Sequence, residues 1–319
     1  MAGETLEPTQ TDEPTIPWHR LPVSKETLIG YASVLPVLIL YFIIAIGPVA
    51  YAVNASFHEV FLLNPQWEWA GLQNYYEVFE LETFWGSLWR GIIYMVGSTL
   101  IQLGVGLWLA LALNKIARGQ KFLTAVVFTA YLIPTIILAF VAGYMFTPNI
   151  GLGVLQSLGS DFGLWAGNTA PMTFSQTWAM PLLILVGTWK FGVFITIFAL
   201  AQLRAIPDRF YEAAQICGAN RLQMFRDITL PRIQGVILVA VLLRSIFMFN
   251  KFDIIWVLTQ GGPGSATTTL PILAYETAFT GGNYGLANAL AVVMFLFLGI
   301  GAVAYFILFN PSEEVETST

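Results

Sequence analysis

Residues 212–231 read EAAQICGANRLQMFRDITLP, a short amphiphilic stretch between two long apolar runs. Glu212, Ala213 and Ala214 come first, Gly218 follows after a gap of three residues, and Ile228, Leu230 and Pro231 after a gap of nine. Just upstream, Pro207 and Asp208 open a short helix, because Asp is a favoured N-cap and the residue before a proline is driven out of the helical region. Ala213 and Ala214 give that helix a face without bulk, where another protein's backbone can approach. Gly218 can adopt the positive φ that ends the helix and turns the chain. Asn220, with Gln223 three residues on, forms a capping-box pattern for a second short helix. Pro231 then stands where a first-turn proline starts the next long helix. Cys217, the single cysteine, is expected to be a small packing residue and excludes an internal disulfide.

Composition sets the environment on either side. Hydrophobic residues make up 56% of the 319 and charged residues 10%, against about 25% charged in a soluble domain. Six apolar runs are long enough to cross a hydrocarbon core as helices: about 28–53, 88–113, 122–146, 181–203, 233–257 and 286–309. They are too long and too uniformly apolar for β-barrel strands. The fold class is therefore all-α, a polytopic membrane protein. It has a polar tail at 1–27, a membrane domain at 28–309 with the amphiphilic loop at 204–231, and an acidic tail at 310–319. The first segment lacks the basic start, apolar core and cleavage site of a secretory signal.

Ten basic residues (Arg20, Lys25, Lys115, Arg118, Lys121, Arg204, Arg209, Arg221, Arg226 and Arg232) fall in three alternate polar segments. The intervening loops, 54–87, 147–180 and 258–285, hold no Lys or Arg. The positive-inside rule places both termini and the 204–231 loop in the cytoplasm of a plasma-membrane protein.

No lysine follows a glycine, so there is no Walker A loop, and there is neither a His-Glu-x-x-His motif nor a nucleophile elbow. Hydrolytic and metal chemistry have no residues to use. The pattern at 212–231 resembles the EAA loop of binding-protein-dependent ABC importer permeases. Two further stretches support this. FDIIWVLTQGGP at 252–263, with Thr267, Tyr275 and Phe279, looks like the span-five exit of sugar permeases, and WAGLQNY at 69–75 looks like the loop after their first span. The resemblance runs over about residues 30–309 and points to the carbohydrate-uptake branch, with the maltose and glycerol-phosphate systems. It implies the type I importer permease fold and a coupling helix that docks on a nucleotide-binding subunit, with Glu212 as anchor, Ala213 and Ala214 as the close-contact face and Gly218 as the bend. It also implies the partners: a second, different permease, two ATP-binding cassette subunits that bind the ATP and Mg, and an extracytoplasmic sugar-binding protein. This chain would bind no cofactor and no nucleic acid.

Charge inside a span is costly and usually faces a cavity or the bundle interior. Arg90 lies at a span edge, where it can snorkel. Lys190 lies mid-span, and Arg244 and Lys251 stand seven residues apart on the fifth run, nearly on one helical face. Asn250 and Asp253 share a neighbouring face. Sugar recognition needs hydrogen-bonding groups and aromatic faces, and Trp189, Phe249 and Trp256 are at hand. Lys190, Arg244, Asn250, Asp253 and Trp256 are thus the substrate-path candidates. Internal pairing, for example Asp253 with Lys190, explains the charges equally well. Glycines 104, 106, 143, 187, 192, 299 and 301 are expected to permit close helix packing. The alternative class, an ion-gradient-driven secondary transporter, would need paired intramembrane acids, whereas Asp253 stands alone.

Overall fold

The computed structural model describes residues 25–116, 118–146, 161–163 and 175–309. Both polar tails beyond these limits, and most of the 147–180 loop, lie outside the described residues. The chain divides into two compact units at Tyr51 and Ala52.

The N-terminal unit is helical: α1 (Lys25–Tyr41) runs through a π-helical turn (Phe42–Ile46) into α2 (Gly47–Ala55). Pro36 lies inside α1, which a membrane helix accommodates by local adjustments such as the π turn that follows. Its large apolar side chains from Ile29 to Val53 are exposed.

The second unit opens with a small hairpin, β1 (His58–Phe61) and β2 (Asn64–Trp69), an element the apolar-run reading does not foresee. Its register pairs His58 with Trp69 and Glu59 with Glu68. Two carboxylates face each other there, a like-charge pair that costs stability. Aromatic contacts offset it: Phe57 stacks on Trp69 at 5.8 Å between centroids, and His58 meets the same ring edge-on at 5.1 Å. Asn74, buried in α3 (Gln73–Glu80), clamps the hairpin by donating to the Ser56 and His58 carbonyls at 2.9 Å each. This gives the Gly-Leu-x-Asn-Tyr segment a physical reason.

The long helices follow: α4 (Glu82–Lys115), α5 (Gln120–Leu132), α6 (Thr135–Met145), α7 (Ala179–Ala205), two short loop helices α8 (Arg209–Ile216) and α9 (Arg221–Met224), then α10 (Leu230–Phe249), α11 (Asp253–Thr259), α12 (Leu270–Tyr275) and α13 (Tyr284–Phe309). Among the described residues, five helices are long and apolar enough to cross a membrane, and six spans result if α5 and α6 count as one bent span. Two expectations need correction. The third run is not straight: it breaks at Ile133–Pro134, and the halves meet at 89°. The fifth run ends at Phe249, and α11 is a separate helix beyond Asn250, Lys251 and Phe252.

Buried α7 lies against α4 and α10. A Cβ on Gly106 would come within 2.7 Å of the Gly192 carbonyl and of Ile195 Cβ, so only glycine lets α4 and α7 approach this closely. Gly143, Gly187 and Gly192 also sit in helix contacts. Gly104, Gly299 and Gly301 face open space in this chain, contrary to the packing expectation. Three apolar clusters follow the spans: Tyr94, Leu183, Met248 and Ile254 in the first; Val78, Phe84, Leu270 and Leu290 in the second; Ala110, Ala199, Leu203 and Ile233 beside the 204–231 loop.

The 252–263 segment leads into a tight turn. Gln260, Gly261, Gly264 and Ser265 all have positive φ, and the Gly262–Pro263 peptide is cis. Threonines close the turn: Thr267 Oγ1 lies 2.7 Å from Thr259 Oγ1, and Thr268 Oγ1 donates to the Gly261 carbonyl at 3.0 Å. Arg90 does more than snorkel, since its Nε donates to the Thr268 carbonyl at 2.9 Å and ties α4 to this turn.

Candidate functional site

The loop between α7 and α10 folds largely as its residue order predicts. Asp208 stands at the N-cap of α8, but its backbone is helical and its side chain accepts no hydrogen bond, so the entry differs from the expected cap. The exit follows expectation. Gly218 has φ +80°, its amide donates to the Gln215 carbonyl at 3.0 Å, and the Ala219 amide donates to Ala214 at 2.9 Å. These paired bonds are the Schellman arrangement, which satisfies carbonyls at the end of a helix. Asn220 then closes a full capping box: its Oδ1 accepts from the Leu222 and Gln223 amides at 3.0 Å, and Gln223 Oε1 accepts the Asn220 amide at 2.8 Å. A π turn (Phe225–Thr229) joins α9 to α10. Pro231 therefore lies in the first turn of α10 but does not begin the helical path, which already runs from Arg221.

Two contacts fasten this loop to the spans. Tyr211 Oη lies 2.9 Å from Thr229 Oγ1, and the Arg232 guanidinium stacks 3.8 Å from the Phe210 ring centre. A cavity of about 640 Å³, lined among others by Asn114, Lys115, Tyr211 and Arg221, opens beside the loop. The outward surface is bare. Glu212 and Ala213 are exposed and Ala214 is half-buried. Ile216 and Leu222, which the motif reading missed, are 88% and 74% exposed. Apolar side chains presented together around a small-residue face suit a protein contact. Cys217 is exposed rather than packed.

The second constellation surrounds a cavity of about 450 Å³ lined by Tyr131, Phe191, Arg244, Asn250, Lys251 and Asp253, among others. Three of the five substrate-path candidates thus meet on one wall. The helix break at Asn250 brings them together, so Arg244 and Lys251 do not share a helix face, nor do Asn250 and Asp253. Arg244 is buried; its Nε donates to Gln102 Oε1 at 2.6 Å, and its guanidinium lies 4.6 Å from the Phe191 ring centre. Lys251 Nζ stands 2.8 Å from Asp253 Oδ1 and 4.4 Å from the same ring. The anticipated pairing partner of Asp253 is therefore Lys251, two residues away, and not Lys190. Lys190 instead donates to the Ile133 carbonyl. Asn250 is exposed, with its Nδ2 on the Ile246 carbonyl at 3.2 Å. Trp256 stacks on Phe252 and tilts against Tyr275 at 4.6 Å. Trp189 is exposed, and Phe249 is buried in the second apolar cluster.

Phe191 and Gln102 escaped the sequence reading. Phe191 is the ring shared by Arg244, Lys251 and Lys190, and Gln102 is the fully buried partner of Arg244. The available signal for Gln102 was a lone amide within an apolar run, a position that demands a hydrogen-bonding partner.

Comparison with known proteins agrees with the fold. Residues 102–310 match the family model described as "Binding-protein-dependent transport system inner membrane component". The trehalose/maltose transport system permease protein MalF of Thermococcus litoralis is 34% identical over 88% of this chain and 93% of its own length. The sulfoquinovosyl glycerol transport system permease protein SmoG of Agrobacterium fabrum is 31% identical over 90% and 92%. Among solved structures, a chain of a bacterial ABC transporter that imports alginate superposes with a TM-score of 0.76, covering 90% of this chain and 96% of that one at 23% identity. With five or six candidate spans among the described residues and a family match over residues 102–310, the chain belongs to the binding-protein-dependent transport system inner membrane components.

Proposed function

We infer that this chain is the permease subunit of an ATP-driven, binding-protein-dependent sugar importer. It supplies half of the translocation path and passes movement from a separate ATPase to the spans. The observation that carries this reading is the exposed knuckle of α8, Gly218 and α9, fastened to the span helices through Tyr211–Thr229 and Phe210–Arg232. A knuckle pushed from outside must move the spans to which it is bonded. Glu212 is the docking anchor, Ala213 and Ala214 allow close approach, and Gly218 sets the turn. A second permease subunit completes the path, two ATP-binding cassette subunits bind ATP and Mg, and an extracytoplasmic binding protein delivers the sugar. Among the described residues, Asp253, the acid that the ion-gradient alternative would use, is paired with Lys251.

Within the path, Asn250 and Asp253 offer hydrogen bonds to a sugar, Arg244 backs the same wall, and Trp256 with Phe252 and Tyr275 forms an aromatic bank beyond it. The loop faces the cytoplasm and the β1–β2 hairpin faces out. Leu63, 95% exposed at the hairpin tip, gives the topology a test: Leu63→Cys and native Cys217 should label from opposite sides of sealed vesicles, and same-side labelling would refute the orientation. The function itself is tested by purification. The tagged chain should bring with it a second permease and an ATPase whose hydrolysis rises with loaded binding protein; a chain that transports alone in an ion gradient would overturn the reading.

A further inference from the structure

Lys190 lies midway along α7, is 8% exposed, and has its ammonium on the main-chain oxygen of Ile133. Ile133 closes α5, Pro134 follows, and α6 departs at 89°. Proline drives the residue before it out of the helical region, and Ile133 has φ −65° and ψ 127°. Such a break leaves the last carbonyls of α5 without amide donors inside hydrocarbon, where an unsatisfied backbone group is costly. The same helix end carries the negative pole of the α5 dipole, which favours a cation. Lys190, for its part, is a buried charge that needs a partner, and among the described residues the nearby carboxylate, Asp253, is held by Lys251 at 2.8 Å. Each group meets the other's need. The Tyr131 and Phe191 rings flank the ammonium at 5.9 and 5.5 Å from their centres.

We propose that Lys190 is a positioning residue: its ammonium caps the broken end of α5 and fixes the 89° bend of the third span. The bend matters to the cavity because α6 packs on α11, with Leu258 3.7 Å from the Cβ position of Gly143, and α11 begins with Asp253. Lys190 therefore shapes the path wall from behind and does not touch the cargo. The inference goes beyond the transport reading and holds whatever the cargo is.

The test places spin labels at Phe122→Cys and Phe140→Cys, both exposed positions on either side of the bend, in a Cys217→Ser background of the assembled complex. Lys190→Met should broaden the distance distribution, depopulating the native spacing roughly tenfold, the scale of losing one charged hydrogen bond. It should also lower the maximal uptake rate while leaving the half-saturating substrate concentration unchanged. Lys190→Arg, which keeps charge and donors, should restore both spacing and rate. A Lys190→Met complex with the native spacing, or one whose only change is a higher half-saturating concentration, would overturn the proposal. Should Lys190→Met fail to assemble, Lys190→Arg decides: native assembly and spacing support the cap, and failure to assemble or a lost spacing refutes it.

Discussion

The α8–α9 loop and the exit of the fifth span are both interruptions between apolar helices, yet they are built in opposite ways. The loop is local. Its turn is set by Gly218 at φ +80° and by the reciprocal Asn220–Gln223 bonds, all within a few residues of one another. The span-five exit adds long-range ties to its local turn bonds. Arg244 meets Gln102 across 142 residues, and Arg90 of α4 reaches Thr268 across 178. Local chemistry tolerates a free outer surface, and the loop has one. Long-range pairing spends the polar groups inside the bundle, so the cations near the cavity already have protein partners. One region is suited to pushing on the spans from outside, and the other to holding the spans together around a path.

This contrast orders the expected effects of substitution. The largest belongs to Glu212→Lys, which inverts the charge on the exposed surface proposed to dock the ATPase. Substrate-stimulated ATP hydrolysis should fall roughly thirtyfold or more, the scale of breaking a docked charge contact, with the complex still inserted in the membrane. Normal stimulation would remove Glu212 from the coupling role.

Gly218→Val should come next, at roughly tenfold, because a β-branched residue in the left-handed region costs about 1–2 kcal/mol or more. No atom lies within 4 Å of the Cβ position, so the cost is purely conformational. Gly218→Asn, which tolerates that region, should therefore couple several-fold better than Gly218→Val. Equal damage from both would mean that the side chain collides with a docked partner. Either result sharpens the picture of the loop surface.

At the other region, Asn250→Ala and Asp253→Asn should raise the substrate concentration for half-maximal uptake roughly two- to tenfold, the worth of one hydrogen bond. Assembly should survive for Asn250→Ala. If either variant breaks assembly and leaves substrate dependence unchanged, the polar groups act only as fasteners. The smallest effect is expected from Asn220→Ala, which removes a cap worth about 1 kcal/mol. It should lower the thermal stability of the complex slightly and coupling by a few-fold at most. A loss as great as that of Glu212→Lys would mean that the capping box, not the exposed face, is what the ATPase reads.

The same division between local and distant chemistry explains what was legible in the chain. Gly218 and Asn220–Gln223 could be read because their partners lie within one turn, whereas Pro231 lies on a helical path that already runs from Arg221. The six apolar runs were legible because each must bury its own backbone bonds. The bend at Ile133–Pro134 was visible as a residue before proline, but the uniformly apolar 122–146 run concealed it, since hydropathy does not register a change of direction. The end of α10 at Phe249 was concealed in the same way by apolar residues on both sides of Asn250 and Lys251. Gln102 and Phe191 could not be assigned, because their roles exist only when α4, α7 and α10 are brought together. The misassigned exposure of Cys217 has a similar origin: whether a small residue in a short helix packs or faces outward depends on which face the Tyr211–Thr229 contact turns inward.

Coupling through this loop requires the α8–α9 surface to be covered by an ATPase subunit in the complete assembly. Cys217, the chain's single cysteine, is exposed beside Gly218 and reports on that surface without any substitution. The rate of maleimide labelling of Cys217 should be high in the isolated permease and fall sharply in the assembled complex. A thiol-anchored photocrosslinker at Cys217 should attach to the ATPase subunit and to no other. Unchanged labelling on assembly, or crosslinks only to the second permease, would contradict the claim that this loop is where ATP hydrolysis is coupled to the spans.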